Sequence, residues 1–503
     1  MSPTPFLLAV YLRMDSLDDN IAVVMRLYTP QLIWKGSGIM PVLTVLHWIY
    51  LVVVLCVIGL MIFRRDVVLP SLLGIFIIGL IWNDGSLIKG SQTVFSALER
   101  SGSDLFDIML VISLMVAMLK ALQSMGADAL MVEPAKKFMK KPAISYWVLA
   151  VVMFTAATFF WPTPAVALVG TILIPVAIAT GLPPMAAAQA INLSGHGMAL
   201  SGDLVLQGAP AITAKAAQVD VGLILTKGAM FAWITGFIAL ITAFFILRKE
   251  IFAGKPQKSD LIAEIKDEAL IPSYARLFAM AVPAVFITIV AVMIYSNLSP
   301  TFGSIRGGAA TALLGGTAAM FMMLATVVHY KGKSLEQVVV FLREGLMFAI
   351  KIFAPVIPIA GFFFLGAPEH AEAILGKGAP GFMFDLGKAL AYSVPLSAAP
   401  LAVGIVVVGI MTGLDGSGFS GLPLVGALAA ALGGPAGFDV ATLAALGQVA
   451  AIWSGGGTLT AWAFGVVADA GISGVSPIDL VRRNFIPASA GLGAATIVAI
   501  IMM

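Results

Sequence analysis

Long apolar runs are the feature that most limits how this chain can fold. Four of the clearest are Pro41–Phe63, Gly222–Leu247, Leu277–Tyr295 and Ala488–Met503. A helix needs about 20 apolar residues to cross a bilayer, and these runs are long enough. Alternating segments of about ten residues, which indicate membrane β-strands, do not occur. Because lipid offers no partner for free backbone groups, the sequence predicts an all-α polytopic membrane protein.

Composition agrees with that fold class. The 503 residues are 60% hydrophobic and 11% charged, whereas a soluble domain is about half apolar and a quarter charged. The single cysteine, Cys56, excludes an intrachain disulfide. Residues 1–40 are only moderately apolar and contain three aspartates. This N-terminal segment is interpreted either as an interfacial segment or as an extra helix.

Basic residues mark the side of the membrane that each loop occupies. Lys and Arg accumulate in cytoplasmic loops. Here they cluster around residues 64–65, 136–141, 248–266, 331–333 and 482–483. We therefore expect a multi-pass protein of a bacterial or archaeal inner membrane, with these clusters in the cytoplasm. The loops between them carry fewer basic residues.

Two stretches have the wrong length for a single span. The apolar run between Lys141 and the Gly181 loop is about 40 residues long, twice a span, and a second such run precedes Gly434. Both are predicted to be re-entrant hairpins, at about 143–180 and about 391–434. Their polar tips are Thr155–Pro164 and Thr412–Pro423. Irregular backbone at membrane depth is tolerated only where protein buries it or where it lines a cavity.

The chain repeats itself after 256 to 260 residues. Leu-Val-Gly at 168–170 aligns with 424–426, and Ser-Gly-His-Gly at 194–197 aligns with Ser-Gly-Gly-Gly at 454–457. Each half, 41–247 and 276–503, is predicted to hold five spanning helices and a re-entrant hairpin. One of the five spans is a broken helix, at about 184–213 in the first half and about 438–470 in the second. A charged cytoplasmic linker, 248–275, joins them. Five spans place the halves in opposite orientations, which is typical of secondary transporters; the alternative is chance similarity between Gly-rich segments.

The two breaks and hairpin tips supply the candidate binding residues. Free helix ends and hydroxyls there suit a cation or an anion, although small residues also form packing seams. The predicted cation-binding residues, which would hold Na⁺, are Thr155, Thr158, Ser194, Gly195, Gly197, Thr412, Asp415, Ser417, Ser454, Gly455 and Gly457. The predicted substrate-binding residues are Thr163, Pro164, Asn192, His196, Ser420, Gly456, Thr458 and Thr460.

Ionisable residues inside spans are functional candidates by default. Asp415 is the strongest, as a cation ligand or a protonation site, and Asp203 and Asp469 are weaker. The sequence contains no phosphate-binding loop, which would indicate ATP-driven transport. It also contains no Cys/His cluster with the spacing of a metal site. The sequence therefore predicts no enzyme activity, no cofactor beyond a coupling ion, and no nucleic-acid partner.

Residues Pro164–Pro210 and Thr412–Pro487 resemble the ion transporter superfamily. That group includes the large membrane subunits of TRAP carboxylate transporters, the divalent anion/sodium symporters, and gluconate, lactate and short-chain fatty acid permeases. The resemblance implies an elevator-type carrier, a homodimer in the bilayer, that moves small carboxylates with Na⁺ or H⁺. The divalent anion symporters carry Ser-Asn-Thr at each break, whereas this chain has Ser194-Gly195-His196 and Ser454-Gly455-Gly456.

The function predicted first is Na⁺- or H⁺-coupled symport of a small organic anion. A Na⁺/H⁺ antiporter on the same scaffold is the second interpretation. The third is the membrane subunit of a TRAP-like uptake system, which would work with a small membrane subunit and an extracytoplasmic binding protein.

Overall fold

A computed structural model of the chain describes residues 33–34, 39–40, 42–63, 65–254, 272–298, 308–393, 396–416 and 418–503. Nearly all of these residues are helical, which confirms the all-α polytopic class. Seven helices in these ranges are long and apolar enough to cross a membrane, or eight if the two parts of one bent helix count as a span. The five spans per half remain a prediction.

The first half of the chain begins with two short antiparallel strands, β1 (Ile33–Trp34) and β2 (Ile39–Met40). Ten helices follow. They are α1 (Val45–Ile62), α2 (Val68–Trp82), α3 (Leu87–Ser124), α4 (Ala127–Lys136), α5 (Pro142–Phe160), α6 (Pro162–Ala179), α7 (Pro184–Ile191), α8 (Leu200–Gly202), α9 (Gly208–Ala217) and α10 (Val221–Ala253). A π-helical segment, π1 (Asn192–Ala199), joins α7 to α8.

The second half of the chain has a similar order near its end. Its helices are α11 (Ser273–Leu298), α12 (Gly308–Tyr330), α13 (Ser334–Phe353), α14 (Val356–Phe364), α15 (Pro368–Leu375), α16 (Phe382–Ser393), α17 (Ala398–Thr412), α18 (Leu422–Gly433), α19 (Val440–Trp453), α20 (Phe464–Ser473) and α21 (Pro477–Met502). A second π-helical segment, π2 (Ser454–Thr458), follows α19. Short 3₁₀ turns occupy Lys331–Lys333 and Gly413–Asp415.

Several predicted boundaries move in the structure. The first hairpin is α5 and α6, which turn at Trp161, and the second is α17 and α18. The predicted linker 248–275 begins within α10, which continues to Ala253, and residues 255–271 lie outside the described residues. Of the N-terminal segment 1–40, only β1 and β2 are described.

The next-to-last helix of each half packs against the hairpin of the other half. Helix α20 lies on α6, and α9 lies on α18. A Cβ added to Gly170 would collide with Ile472, and one added to Gly426 would lie 2.9 Å from Ala216 Cβ. Both members of the first contact lie 256 positions from the members of the second. Reciprocal contacts of this kind are what a twofold relation between repeats produces.

Other contacts join a residue directly to its own counterpart. A Cβ on Gly197 would lie 2.8 Å from the Trp453 ring, and one on Gly456 would lie 2.9 Å from Leu200 Cδ2. Farther along, Gly491 packs on the backbone of Thr235. In each pair the two positions differ by 256. A residue can touch its own counterpart only next to a symmetry axis, so these pairs are the contacts that an axis between the two predicted repeats would produce.

Candidate functional site

The two π-helical segments meet at this axis, and every residue in them is buried. The first is a wide helical turn, so the chain stays helical through Ser194–Gly197 and the prediction of a break at these residues is wrong. The helix ends instead at Gly202, and Asp203 and Gln207 then adopt positive φ before α9 begins. The second ends in unwound backbone, because Gly457 adopts φ 122°, which other residues rarely adopt. π-Helical turns inside α-helices are frequently found at functional sites. The position therefore makes this the candidate binding centre.

A network of hydrogen-bonded side-chain amides connects the two halves at this centre. Asn192 Nδ2 donates to Gly457 O at 2.5 Å and to Asp469 Oδ2 at 2.7 Å. Asn484 Nδ2 donates to Asn192 Oδ1 at 2.7 Å and to Thr458 O at 3.2 Å. All five residues are buried, and Thr458 and Gly457 belong to π2. The network binds the carbonyls that the second break releases from helical bonding.

Asp469 is the charged member of this network. Its Oδ2 lies 2.9 Å from His196 Nδ1, and both side chains are fully buried. With the carboxylate ionised, the imidazole Nδ1–H and the amide of Asn192 both donate to Oδ2. Among the described residues, Asp469 Oδ1 has no hydrogen-bond partner. A buried carboxylate with one unsatisfied oxygen is costly to keep ionised.

The second hairpin closes tightly on the second break. A Cβ on Gly413 would lie 2.5 Å from Gly455 N, and one on Gly418 would lie 2.6 Å from Gly456 N. Backbone therefore packs on backbone, which only glycine permits. Ser454 Oγ donates to Ile410 O of α17 at 2.9 Å, which ties the break to the same hairpin.

The tips of the two hairpins meet through aromatic rings. Trp161, at the turn between α5 and α6, packs on Phe419 with ring centroids 5.3 Å apart. Trp161 has φ 71° and ψ 143°, a backbone conformation that non-glycine residues rarely adopt. Its indole Nε1 is buried and has no hydrogen-bond partner in the described part of the chain. Strain and an unsatisfied donor at one residue indicate a functional position.

The first hairpin places its predicted ligands unevenly. Thr155 is exposed, donates to Val151 O within α5, and lines an apolar groove of about 230 Å³ that includes Phe286. It therefore lies away from the binding centre. Thr158 donates to Phe154 O of its own helix. Half-buried Thr163 and Pro164 follow the tip at the start of α6.

Most predicted residues near the breaks are buried but already bonded. Ser194 Oγ donates to Ala190 O at 2.7 Å, and Thr412 Oγ1 donates to Gly409 O at 2.8 Å. The Thr458 hydroxyl donates to Trp453 O. These hydroxyls are therefore engaged within their own helical segments rather than arranged around a shared ion position. In the part of the chain that is described, no three His, Cys, Asp or Glu side chains cluster as metal ligands.

The remaining predicted residues lie at the second hairpin tip, after π2 or in π1. Ser420 and Thr460 are buried, and the Thr460 hydroxyl has no partner among described residues. Asp415 ends a 3₁₀ turn, and its side chain is not described. Ser417 lies outside the described residues. Gly195 packs on Met153 of α5, so the first hairpin also contacts its own break.

Sequence reasoning missed three polar side chains of this centre. Asn484, Gln189 and Gln448 are fully or almost fully buried, and Gln189 Nε2 donates to Asn484 Oδ1 at 3.1 Å. The available signal was an amide side chain inside an apolar helix. Asn484 directly follows the basic pair Arg482-Arg483, which the charge pattern predicts to be cytoplasmic.

Comparison with known proteins places the chain among membrane proteins. It is 38% identical over 477 residues to the uncharacterized membrane protein YhfA of Bacillus subtilis (strain 168), a match that covers 93% of this chain and 99% of YhfA. The chain belongs to the YhfA family. No protein-family model matches it.

A solved structure shares the fold of this YhfA-family chain. MtrF of Neisseria gonorrhoeae superposes with a TM-score of 0.56 at 18% identity, over 84% of this chain and 85% of MtrF. MtrF is described as illuminating a class of antimetabolite efflux pumps. The YhfA-family chain is a multi-pass membrane protein, and it shares the fold of MtrF. Membership of the ion transporter superfamily itself remains a proposal.

Proposed function

We propose that this chain is a secondary active transporter of the inner membrane that carries a small organic anion, coupled to H⁺ or Na⁺. The observation that carries the proposal is the contact between two buried π-helical segments, one from each predicted half, of which the second ends in unwound backbone. Such an arrangement lets the halves exchange conformations around a fixed central site. An elevator-type movement and a homodimer belong to the same proposal.

The hairpin tips support an anionic substrate. Trp161 Nε1 is a buried donor without a partner among the described residues, and it lies where α6 begins. A helix N-terminus carries partial positive charge, and α6 has no side-chain cap. An anionic oxygen at this point would satisfy the indole N–H. The packed Phe419 ring would cover an apolar part of the same substrate.

Reconstitution into liposomes tests this function. Purified protein would be assayed for uptake of radiolabelled small carboxylates under an imposed proton gradient or an imposed Na⁺ gradient. We expect at least one carboxylate to accumulate above protein-free liposomes with one of the gradients. Failure of every carboxylate with both gradients, together with Na⁺-driven proton flux in their absence, would favour the antiporter.

The likeness to MtrF favours a second candidate, export of a small organic anion in exchange for the coupling ion. The same liposomes separate the two directions. An inward gradient of the coupling ion drives accumulation by a symporter and release of preloaded substrate by an exchanger. A requirement for an added binding protein would instead favour the TRAP-like subunit.

A further inference from the structure

We propose that Asp469 and His196 form the proton-binding site of this protein, and that the site exists once per chain. The inference rests on the proposed transporter function and names its coupling ion as H⁺. The carboxylate Oδ2 and imidazole Nδ1 are 2.9 Å apart, both side chains are fully buried, and each comes from a different half.

The donors around Asp469 suit a proton better than a metal cation. Na⁺ is a hard cation that takes oxygen ligands, whereas Asp469 Oδ2 faces two nitrogen donors, Asn192 Nδ2 and His196 Nδ1. The assignment of Asn192 Nδ2 follows from its partners, because Gly457 O and the ionised carboxylate only accept. Oδ1, which has no hydrogen-bond partner among the described residues, is the open position for a proton.

Few other charges face this pair. Helix α20, which holds Asp469, packs on α6, α7, α21 and the two π-helical segments. In the sequences of these elements, His196 is the only ionisable residue besides those at the start of α21. Those three are exposed: Arg482 lies 3.5 Å from Asp479, and Arg483 lies 3.2 Å from Glu250. The segment π1, which holds His196, also packs on α5, α8, α10 and α19. The ionisable residues in these helices are Tyr146 in α5 and Lys227, Arg248, Lys249 and Glu250 in α10.

The symmetry of the fold shows that the pair is not duplicated. The counterparts of His196 and Asp469, 256 positions away, are Ile452 and Thr213. Neither can ionise. The counterpart of Asn484 is Gly228, where an added Cβ would lie 3.3 Å from Gln448 Nε2. The His196–Asp469 pair therefore has no protonatable counterpart in the other half.

Proton binding at this pair changes the attraction between the halves. When the carboxylate takes up one proton, its charge is removed and its acceptance of bonds from His196 and Asn192 weakens. Both of those partners belong to the first half, and Asp469 belongs to the second. Proton occupancy is thereby linked to the contact that must change when the halves move.

The test is infrared difference spectroscopy of the purified protein titrated with acid, which detects a protonated carboxyl group without any substrate. The titration is run in an Asp203→Asn background, because Asp203 is the other buried carboxyl among the described residues. This parent protein is expected to gain one buried carboxylic-acid band on acidification. Asp469→Asn should lose this band, and the exposed Asp479→Asn should keep it. His196→Gln should change this band, because it removes the imidazole nitrogen that faces Oδ2. A band that survives in Asp469→Asn would overturn the assignment.

A transport assay separates failure of this site from failure of the proposed function. In liposomes, Asp469→Asn should abolish carboxylate accumulation driven by a proton gradient, while Asp479→Asn accumulates normally. Accumulation that is driven by Na⁺ and unaffected by Asp469→Asn would sink the proton site and leave the transporter intact. If the infrared band behaves as expected but the protein transports no carboxylate substrate, the proton site stands and the proposed transport function is wrong.

Discussion

Asn192 and Gln448 make the same hydrogen bond in opposite halves of the protein. Asn192 Nδ2 donates to Gly457 O at 2.5 Å, and Gln448 Nε2 donates to Ser201 O at 3.0 Å. The donors are 256 residues apart, and so are the acceptors. Each amide therefore ties its own half to backbone at the end of the other half's π-helical segment: Gly457 lies within π2, and Ser201 lies two residues beyond π1.

The two amides are expected to differ in their effect on stability. Asn192→Ala removes the donor to both Gly457 O and Asp469 Oδ2, whereas Gln448→Ala removes one bond to Ser201 O. Leaving a buried polar group unsatisfied costs about 1–3 kcal/mol. We expect a larger fall in the thermal midpoint in detergent for Asn192→Ala. Equal midpoints would show that the bond to Asp469 adds nothing to the fold.

Gly197 is expected to tolerate no side chain while Trp453 is present. A Cβ would lie 2.8 Å from the buried indole, so Gly197→Ala should destabilise by about 1–3 kcal/mol. Trp453→Phe should recover part of that loss in the double variant. Gly493→Ala is the matched control, because nothing lies within 4 Å of its Cβ position in α21. Additive effects at positions 197 and 453 would contradict the contact.

Asp439 gives stability an acid-sensitive component. Burial alone would raise the pKa of this carboxyl, but the Thr442 hydroxyl, the Lys227 ammonium and the Ala441 amide together hold its pKa below the usual value. Lys227 Nζ lies 3.3 Å from Oδ2. A depressed pKa contributes stability above the unfolded value, about 3.9, and this contribution is lost as pH falls through the folded value.

We therefore expect Asp439→Asn to flatten the acid side of the stability profile. Thermal midpoints measured from about pH 3 to pH 6 should fall less for the variant than for wild type. Lys227→Met should reduce the same slope, because it removes the cation that favours the charged carboxylate. An unchanged slope in both variants would contradict the ion pair.

Trp161→Phe is expected to separate folding from function at the hairpin tip. The ring contact with Phe419 is retained, and the buried N–H that lacks a partner among described residues is removed. Stability should therefore stay the same or rise. Transport at limiting substrate should fall, with KM rising more than kcat falls. Phe419→Leu is the comparison, since it should lose about 0.5–1.5 kcal/mol of ring packing. A wild-type KM in Trp161→Phe would show that the hairpin tip is not part of the substrate site.

The sequence predicted the fold class because apolar runs report directly on the bilayer. It also drew attention to Asn192 and His196, whose polar side chains lie inside an apolar helix. It could not show that Asp469 is their partner, since that contact spans 273 or more positions. Contacts at such separation depend on how α20 packs, which no local pattern specifies.

Thr155 shows a different limit of sequence reasoning. In a soluble helix, polar residues mark the outer face. In α5 both faces are apolar, so periodicity does not show which side meets protein and which meets lipid. The predicted tip Thr155–Pro164 includes the turn at Trp161, where φ is positive, but Thr155 itself lies before the turn, within α5. The backbone conformation of an aromatic residue is invisible in its sequence context.

The contacts along the axis have a consequence for how such a chain can change over generations. A duplicated chain with identical halves would set two tryptophans or two glycines face to face where Gly197 now meets Trp453. The first would clash and the second would leave a void. The same holds where Leu200 meets Gly456. At these positions one half can accept a larger side chain only if the other gives one up, so each substitution must be matched by its counterpart 256 residues away.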